Sequence, residues 1–188
     1  MIIIGITGTL GAGKGTLVEY LVNNKGFEHF SVRAYLLEEI RKRGWPENRD
    51  SMFNLANELR ALHTASFVTD QLYNKAVRSG KNCVIESIRT PGEIDSLRKK
   101  ENFFLFAVDA DPHLRYQRIQ LRNSETDNIS FEVFRENEKR EMNTTDPNKQ
   151  NLKKCIALAD SLLLNNSTKE ELFLQMETIL KRIKTISG

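Results

Sequence analysis

The chain has 188 residues, of which 39% are hydrophobic and 28% are charged, and its formal net charge is +3. This composition is typical of one globular domain with a single core, which we expect to span residues 1–188. The basic residues are dispersed and no aromatic-basic motif accompanies them, so we expect an anionic small molecule rather than a nucleic acid as the partner. No apolar run approaches the roughly 20 residues of a membrane span, and the two cysteines form neither a disulfide framework nor a zinc site. We therefore expect a protein of the reducing cytoplasm without an export signal or a membrane span.

Apolar runs alternate with amphipathic stretches along the chain, and this pattern predicts strands separated by helices. The strands are expected at 2–6, 28–32, 82–88, 102–110 and 161–165. Helices are expected at about 14–25, 34–44, 51–62, 112–122, 130–142 and 168–186. Three further helices are expected, one that ends near residue 79, one that begins at residue 91 and one that ends near residue 158. Such alternation predicts an α/β fold, a mainly parallel sheet with helices on both faces and ligands at the carboxyl ends of its strands.

A glycine-rich loop, GTLGAGKGT, follows the first predicted strand. Its glycines allow backbone N–H groups to turn inward around an anion, Lys14 brings a positive charge to the outer phosphates, and the next helix adds its N-terminus. The G-x-x-x-x-G-K spacing after a strand therefore predicts nucleotide binding, with Lys14 also serving phosphoryl transfer. The residues expected to bind ATP in this loop are Gly8, Thr9, Leu10, Gly11, Ala12, Gly13, Lys14, Gly15 and Thr16.

The hydroxyl of this loop is displaced by one residue from its commonest position. Gly15 stands where a Ser or Thr usually ligates Mg²⁺, and the hydroxyl arrives at Thr16, which is a possible ligand. We therefore expect Mg²⁺, bound with ATP, to be held chiefly by phosphates and water, with an acidic side chain organising that water. Glu86 and Asp109 each end an apolar strand and are the candidates for this acid.

The form G-x-x-G-x-G-K-G-T resembles the nucleoside monophosphate kinases of the adenylate kinase group. This resemblance implies a P-loop NTPase fold with a five-stranded parallel sheet in the order 2-3-1-4-5. It further implies a helical acceptor-binding insertion at about 33–80 and a short helical lid at about 115–141.

The segment Glu86-Ser87-Ile88-Arg89-Thr90-Pro91 looks like a variant of the acid-to-arginine turn that follows the third strand of those kinases. In that comparison Glu86 would hold Mg²⁺ through water, Arg89 would bind the acceptor's phosphate, and Asp109 is the reserve acid. A capping or salt-bridged carboxylate is the structural alternative for Glu86.

A second resemblance covers nearly the whole chain. It is to small P-loop proteins related to dephospho-coenzyme A kinases and deoxynucleoside monophosphate kinases, and it rests on the same Glu86 turn, on Ala159-Asp160 and on Asn165-Asn166. This resemblance implies that Asn166, just before the last helix, belongs to the ATP site.

Three arginines, Arg115, Arg118 and Arg122, share one face of the helix that precedes the loop NSETDN, which is the lid candidate. Phosphoryl transfer needs positive charge around the moving phosphoryl group. The resemblance implies that Arg118 and Arg122 match an arginine pair that flanks the lid and contacts the phosphates, with Arg118 also binding ATP. Arg140 would complete this clamp, while a solvated basic face is the alternative for each arginine.

The acceptor segment SVRAYLL departs from the Ser-x-Gly-Asp-x-Leu-Arg pattern of monophosphate kinases. Ser31 fits this pattern, but Ala34 and Leu37 replace the aspartate and the arginine. A planar guanidinium pairs well with phosphate, so Arg33, Arg41, Arg49 or Arg60 could replace the missing arginine. The residues expected to bind the acceptor are Ser31, Arg33, Arg60, Glu86 and Arg89.

These expectations together indicate ATP-dependent phosphoryl transfer to a small phosphate-bearing acceptor. A nucleoside or deoxynucleoside monophosphate stands ahead of dephospho-coenzyme A as that acceptor. The losses at Ala34 and Leu37 leave open an ATP-binding regulatory or sensor module without transferase activity. A GTPase would need Asn-Lys-x-Asp, whereas Asn148-Lys149-Gln150-Asn151 lacks the carboxylate.

Overall fold

The computed structural model describes residues 1–100, 102–122, 129–144, 146 and 149–187. Within this part, five strands form one parallel sheet in the order β2-β3-β1-β4-β5. The strands are β1 (Ile3–Gly8), β2 (Glu28–Ser31), β3 (Cys83–Glu86), β4 (Phe103–Asp109) and β5 (Ser161–Leu164). The predicted α/β, P-loop NTPase fold and its strand order are thus confirmed.

Helices alternate with these strands, as the apolar periodicity predicted. They are α1 (Lys14–Lys25), α2 (Val32–Lys42), α3 (Arg49–Leu62), α4 (Phe67–Ser79), α5 (Pro91–Arg98), α6 (Pro112–Arg122), α7 (Phe131–Met142), α8 (Leu152–Ala157) and α9 (Lys169–Ser187). Strand β3 is shorter than the predicted 82–88 because Ser87 adopts a φ of 69°, which turns the chain out of the sheet. A capping box formed by Thr90 and Glu93 then begins α5.

The two faces of the sheet are covered by different helices. Ile4 and Ile6 of β1 belong to a buried cluster that includes Leu17 of α1 and Met176 of α9. Ile3, on the opposite face of the same strand, joins a cluster with Leu36 of α2 and residues of α3 and α4. Because successive side chains of a strand point to opposite faces, the continuous apolar run of β1 buries both sides.

The register brings the polar strand ends together at one edge of the sheet. Ile6 pairs with Glu86, Gly8 pairs with Val108, and Asp109 pairs with Leu164. The glycine-rich loop, the turn after β3 and the residues after β5 are therefore neighbours, as expected at the carboxyl ends of parallel strands.

Two predicted regions frame this edge. Helices α2, α3 and α4 occupy the excursion between β2 and β3, where the acceptor-binding insertion was expected. The predicted lid is represented by its flanking helices, α6 and α7, since the loop at 123–128 lies outside the described residues. Across the part of the chain that the structure describes, no helix has the length and apolar character that crossing a membrane requires.

Candidate active site

A pocket of about 600 Å³ lies at the carboxyl edge of the sheet and contains most of the predicted site residues. One side is lined by the glycine-rich loop, by α6 and by the turn after β5, and the other by α2, α3 and the turn after β3. The site residues that line it are Leu10, Gly11, Gly13, Lys14, Gly15, Thr16, Arg33, Arg60, Glu86, Arg89, Arg118 and Arg122.

The glycine-rich loop has a backbone that only glycine adopts easily at three positions. Gly8, Gly11 and Gly13 have φ values of 138°, 78° and 101°. A Cβ atom at Gly8 would lie 2.1 Å from the Val108 carbonyl oxygen, so the loop also packs directly on the end of β4. Gly15 differs from these, since a Cβ atom there meets no protein atom within 4 Å and would extend into open space. Its small size is therefore not required by the loop's own packing.

The ammonium group of Lys14 is held against the loop. Its Nζ donates hydrogen bonds to the carbonyl oxygens of Gly8 and Thr9, at 2.9 Å and 2.7 Å. Burial, together with the nearby positive charge of Arg89, lowers the pKa of Lys14 to about 7. A nucleotide phosphate bound beside this group would add negative charge and favour the ammonium form.

Side chains behind the loop fix its shape. Thr9 Oγ1 donates to Asp109 Oδ1 (2.6 Å), Asn165 Nδ2 donates to the Ala12 carbonyl oxygen (2.8 Å), and Arg115 Nη1 donates to the Leu10 carbonyl oxygen (3.3 Å). Asp109 also lies 3.5 Å from Arg115 Nε and is not among the described residues that line the pocket. Asp109, the second candidate for the acid that organises Mg²⁺, therefore supports the loop in this structure. Thr9 and Ala12 likewise contribute to its shape.

The two lid arginines of α6 line the pocket beside the loop. Arg118 Nη2 donates to the Asn165 carbonyl oxygen (2.8 Å), while its Nη1 is buried and has no hydrogen-bond partner among the described residues. A buried donor without a partner is costly, so this nitrogen is suited to an oxyanion bound in the pocket. Arg115, on the same helix face, is instead only 3% exposed and belongs to the loop's support.

Arg140 and Asn166 lie outside the described pocket lining. The guanidinium of Arg140 lies 4.8 Å from the ring centroid of Phe53, which itself lines the pocket, and 3.7 Å from Asp50. Asn166 accepts a hydrogen bond from the Asp111 N–H (2.8 Å), so its neighbour Asn165 is the asparagine that lines the pocket.

The side of the pocket formed by α2, α3 and the turn after β3, where the acceptor was predicted to bind, combines arginines with an apolar wall. Arg60 is only 5% exposed, and its Nη1 donates to Asn57 Oδ1 (3.2 Å). Its Nη2 lies 3.6 Å from Glu93 Oε1. Arg33 lines the same region and is exposed. The apolar residues of this wall are Val32, Leu36, Met52, Phe53 and Ala56.

Glu86 occupies the pocket floor at the end of β3. Its Oε1 accepts a hydrogen bond from Ser31 Oγ (3.2 Å) and lies 3.8 Å from His29 Nε2. Ser31 Oγ also accepts a hydrogen bond from the Ala34 N–H and thereby caps the N-terminus of α2. Ser31 is not among the described residues that line the pocket. Ser31 therefore orients Glu86 and caps a helix in this arrangement.

Arg49, Glu141 and Gln150 complete the acceptor side. Glu141 pairs with both Arg49 and Arg89, and Arg89 Nη1 also donates to Gln150 Oε1 (2.8 Å). Arg49 is one of several arginines that the sequence offers for phosphate recognition. Sequence reasoning missed Glu141 and Gln150. No sequence signal marks these two, because their partners are distant in the chain.

Thr16 and Glu86 are the candidate metal ligands that line the pocket. Among the described residues, no group of three or more His, Cys, Asp or Glu side chains could hold a metal ion. Thr16 and Glu86 both line the pocket and would hold Mg²⁺ together with nucleotide phosphates, with Glu86 acting through water.

Comparisons with known proteins identify relatives of this chain. A family model described as the AAA domain matches residues 4–146. The UPF0200 protein of Methanocaldococcus jannaschii is 28% identical over 191 residues, which cover 97% of this chain and 91% of that protein. The UPF0200 protein of Sulfurisphaera tokodaii is 30% identical over 183 residues, covering 96% and 97%.

Solved structures with this fold include kinases. Shikimate kinase from Acinetobacter baumannii, in complex with shikimate, superposes with a TM-score of 0.57 and 15% sequence identity, covering 97% of this chain and 94% of that one. The resemblance to P-loop kinases that the glycine-rich loop indicated is thus confirmed at the level of the fold.

Proposed function

The chain belongs to the AAA domain family and to the UPF0200 family, and we propose that it transfers the γ-phosphoryl group of ATP to a small phosphate-bearing acceptor. A nucleoside or deoxynucleoside monophosphate is the proposed acceptor. The observation that carries this proposal is the single pocket that joins the phosphate loop to a wall of arginines and apolar side chains. Two anionic molecules can bind at its two ends, and direct transfer requires their phosphates to meet.

On the donor side, the loop N–H groups and Lys14 bind the ATP phosphates. Arg118 and Arg122 neutralise charge that develops on the transferred group, and the Nη1 of Arg118, which has no hydrogen-bond partner among the described residues, donates to an oxygen of that group. Mg²⁺ bound with ATP supplies further neutralisation. Thr16 and, through water, Glu86 would hold this ion on the protein side.

On the acceptor side, Arg33, Arg60 and Arg89 provide positive charge for the acceptor's phosphate. Leu36, Met52 and Phe53 form an apolar wall against which the rest of the acceptor packs. The arginines of α3 and of the turn after β3 thereby compensate for Ala34 and Leu37, where monophosphate kinases carry charged side chains. We place the reaction in the cytoplasm, where the free, buried Cys83 and Cys155 stay reduced.

A screen of ADP release tests this proposal. The protein is incubated with MgATP and, in turn, each ribo- and deoxyribonucleoside monophosphate and dephospho-coenzyme A. We expect acceptor-dependent ADP release from at least one monophosphate, which Lys14→Ala abolishes because the ammonium group no longer binds the phosphates. Activity with dephospho-coenzyme A alone would show that this molecule, and not a nucleoside monophosphate, is the acceptor. Nucleotide binding without release on any acceptor would favour the sensor module.

A further inference from the structure

Two arginines on different elements of the acceptor wall share one buried carboxylate. Arg49 begins α3, Arg89 lies in the turn after β3, and Glu141 lies near the end of α7. Arg89 Nη1 donates to Glu141 Oε2 at 2.6 Å, and Arg49 Nη2 donates to Glu141 Oε1. Each carboxylate oxygen thus takes one guanidinium. We call Arg49, Arg89 and Glu141 the arginine clasp.

The clasp is rigid and remains charged. Glu141 is only 4% exposed, and burial acts to raise the pKa of its carboxyl, but the guanidiniums of Arg89 and Arg49 bring that pKa below its ordinary value. Arg89 is further fixed by Gln150 and by its own backbone, whose N–H donates to Glu93 Oε2 (2.7 Å). The two guanidiniums are therefore held at a set spacing before any ligand arrives.

Glu141 accepts a hydrogen bond from only one nitrogen of each guanidinium. The Nε of Arg49 is buried and has no hydrogen-bond partner among the described residues. The Arg89 side chain donates its hydrogen bonds to the described residues through Nη1 alone. Both arginines line the pocket, and two guanidiniums against one carboxylate leave a net positive charge. Such a pair suits an oxyanion that accepts several hydrogen bonds at once.

We propose that Arg49 and Arg89 form the subsite for the acceptor's phosphate, and that Glu141 is the positioning residue that fixes both guanidiniums to one carboxylate. This inference rests on the proposed function, to which it adds Arg49 and Glu141. A terminal phosphate offers three oxygens to the remaining donors, whereas a carboxylate offers two, so the acceptor class is a phosphomonoester. Glu141 is a fixed part of the subsite and does not leave it when the phosphate binds.

Monophosphate binding with the donor site filled tests this subsite. Saturating MgADP occupies the phosphate loop, and AMP, GMP, CMP, UMP and their deoxy forms are titrated by calorimetry, with the parent nucleosides as phosphate-free probes. We expect Glu141→Gln to weaken binding of the preferred monophosphate by about tenfold, because Arg49 and Arg89 lose their common anchor. The dissociation constant for the nucleoside, which carries no phosphate, should change by less than about twofold.

Two further variants separate positioning from folding. Arg49→Lys keeps a positive charge beside Glu141 but removes the planar guanidinium and its Nε, and we expect a similar loss of monophosphate affinity. Glu136→Gln removes a carboxylate from the exposed side of the same helix and should leave all affinities unchanged. Melting temperatures identify a variant that has lost its fold. If Glu141→Gln is such a variant, the monophosphate affinity of Arg49→Lys tests the inference.

The outcomes distinguish this inference from the proposed function. Unchanged or tighter monophosphate binding in folded Glu141→Gln and Arg49→Lys proteins overturns the inference, even if phosphoryl transfer occurs. Wild-type protein that binds ADP but none of the monophosphates also overturns it. Monophosphate binding that both variants weaken, in a protein that transfers no phosphoryl group, supports the subsite and contradicts the proposed transfer.

Discussion

The charge of Lys14 is expected to depend on whether a phosphate is bound beside it. Its pKa of about 7 in the empty pocket results first from burial and then from Arg89. Bound phosphate stabilises the ammonium form, so the pKa rises in the complex. Below about pH 7 the group is already charged and binding needs no added proton, whereas above that pH each binding event must take one up.

We therefore predict that ADP affinity falls above about pH 7, where the terminal phosphate of ADP is already ionised, by at most about tenfold for each pH unit. Calorimetry between about pH 6 and 9, in buffers of different ionisation enthalpy, measures both the affinity and the proton uptake. Lys14→Arg is the matched control, because a guanidinium stays charged over this range and its profile should be flat above about pH 7. A flat wild-type profile without proton uptake would contradict this account of Lys14.

Arg118 is expected to act mainly on the transferred group. One of its terminal nitrogens binds the Asn165 carbonyl oxygen, which fixes the side chain, and the other is buried without a partner in the described part of the chain. We predict that Arg118→Ala lowers kcat by about a hundredfold or more and weakens ATP binding only a few-fold. Gln117→Ala, an exposed change on the same helix, is the control. Equal losses in kcat and in ATP binding would argue against a transition-state role.

At the scale of elements, the glycine-rich loop contains glycines of two kinds. Gly13 has a φ of 101°, and a Cβ atom there would lie 2.2 Å from Asn165 Nδ2. Gly15 has neither a positive φ nor a neighbour within 4 Å. We predict that Gly13→Ala lowers the free energy of unfolding by at least about 1 kcal/mol, whereas Gly15→Ala leaves it unchanged or raises it by up to about 1 kcal/mol.

Denaturant unfolding of the empty protein measures both changes, and ADP titration of the same variants separates packing from binding. Gly15→Ala should weaken ADP binding despite its intact stability, because the added methyl group occupies pocket space. If Gly15→Ala is the more destabilising of the two, the described loop conformation is wrong.

Helix α7 connects the two ends of the pocket. Its Glu138 pairs with Arg115, which hydrogen-bonds the loop at Leu10, while its Glu141 holds the acceptor arginines. Glu138 and Glu141 are three residues apart, so they share one helix face. The donor and acceptor sites are thus tied to one rigid element.

At the scale of the whole molecule, local patterns predicted the fold and the loop, because each depends on residues close together in sequence. The sheet order followed from the resemblance that this loop carried. The support behind the loop was not predictable in the same way. Arg115 belonged to an evenly spaced basic face, and only the packing of α6 on the loop shows why it is buried.

Other parts of the site depend on where the chain turns. Asn165 and Asn166 are adjacent, and only the end of β5 at Leu164 decides that Asn165 reaches the loop. Arg140 immediately precedes Glu141, but about 100° of helix rotation separates their directions, and Arg140 points to Phe53 instead. The pairing of Arg49 with Glu141 joins α3 to α7, which no local pattern could indicate.

The central claim is that one pocket binds ATP and a phosphate-bearing acceptor and passes a phosphoryl group between them. Following ATP labelled on its γ-phosphorus tests this claim most directly, with a pool of ribo- and deoxyribonucleoside monophosphates present and with Lys14→Ala as the control. The account predicts that the label appears on a monophosphate, which becomes a diphosphate, and that the control transfers none. Label that stays on ATP or appears only as inorganic phosphate, from a protein that binds both molecules, would contradict it.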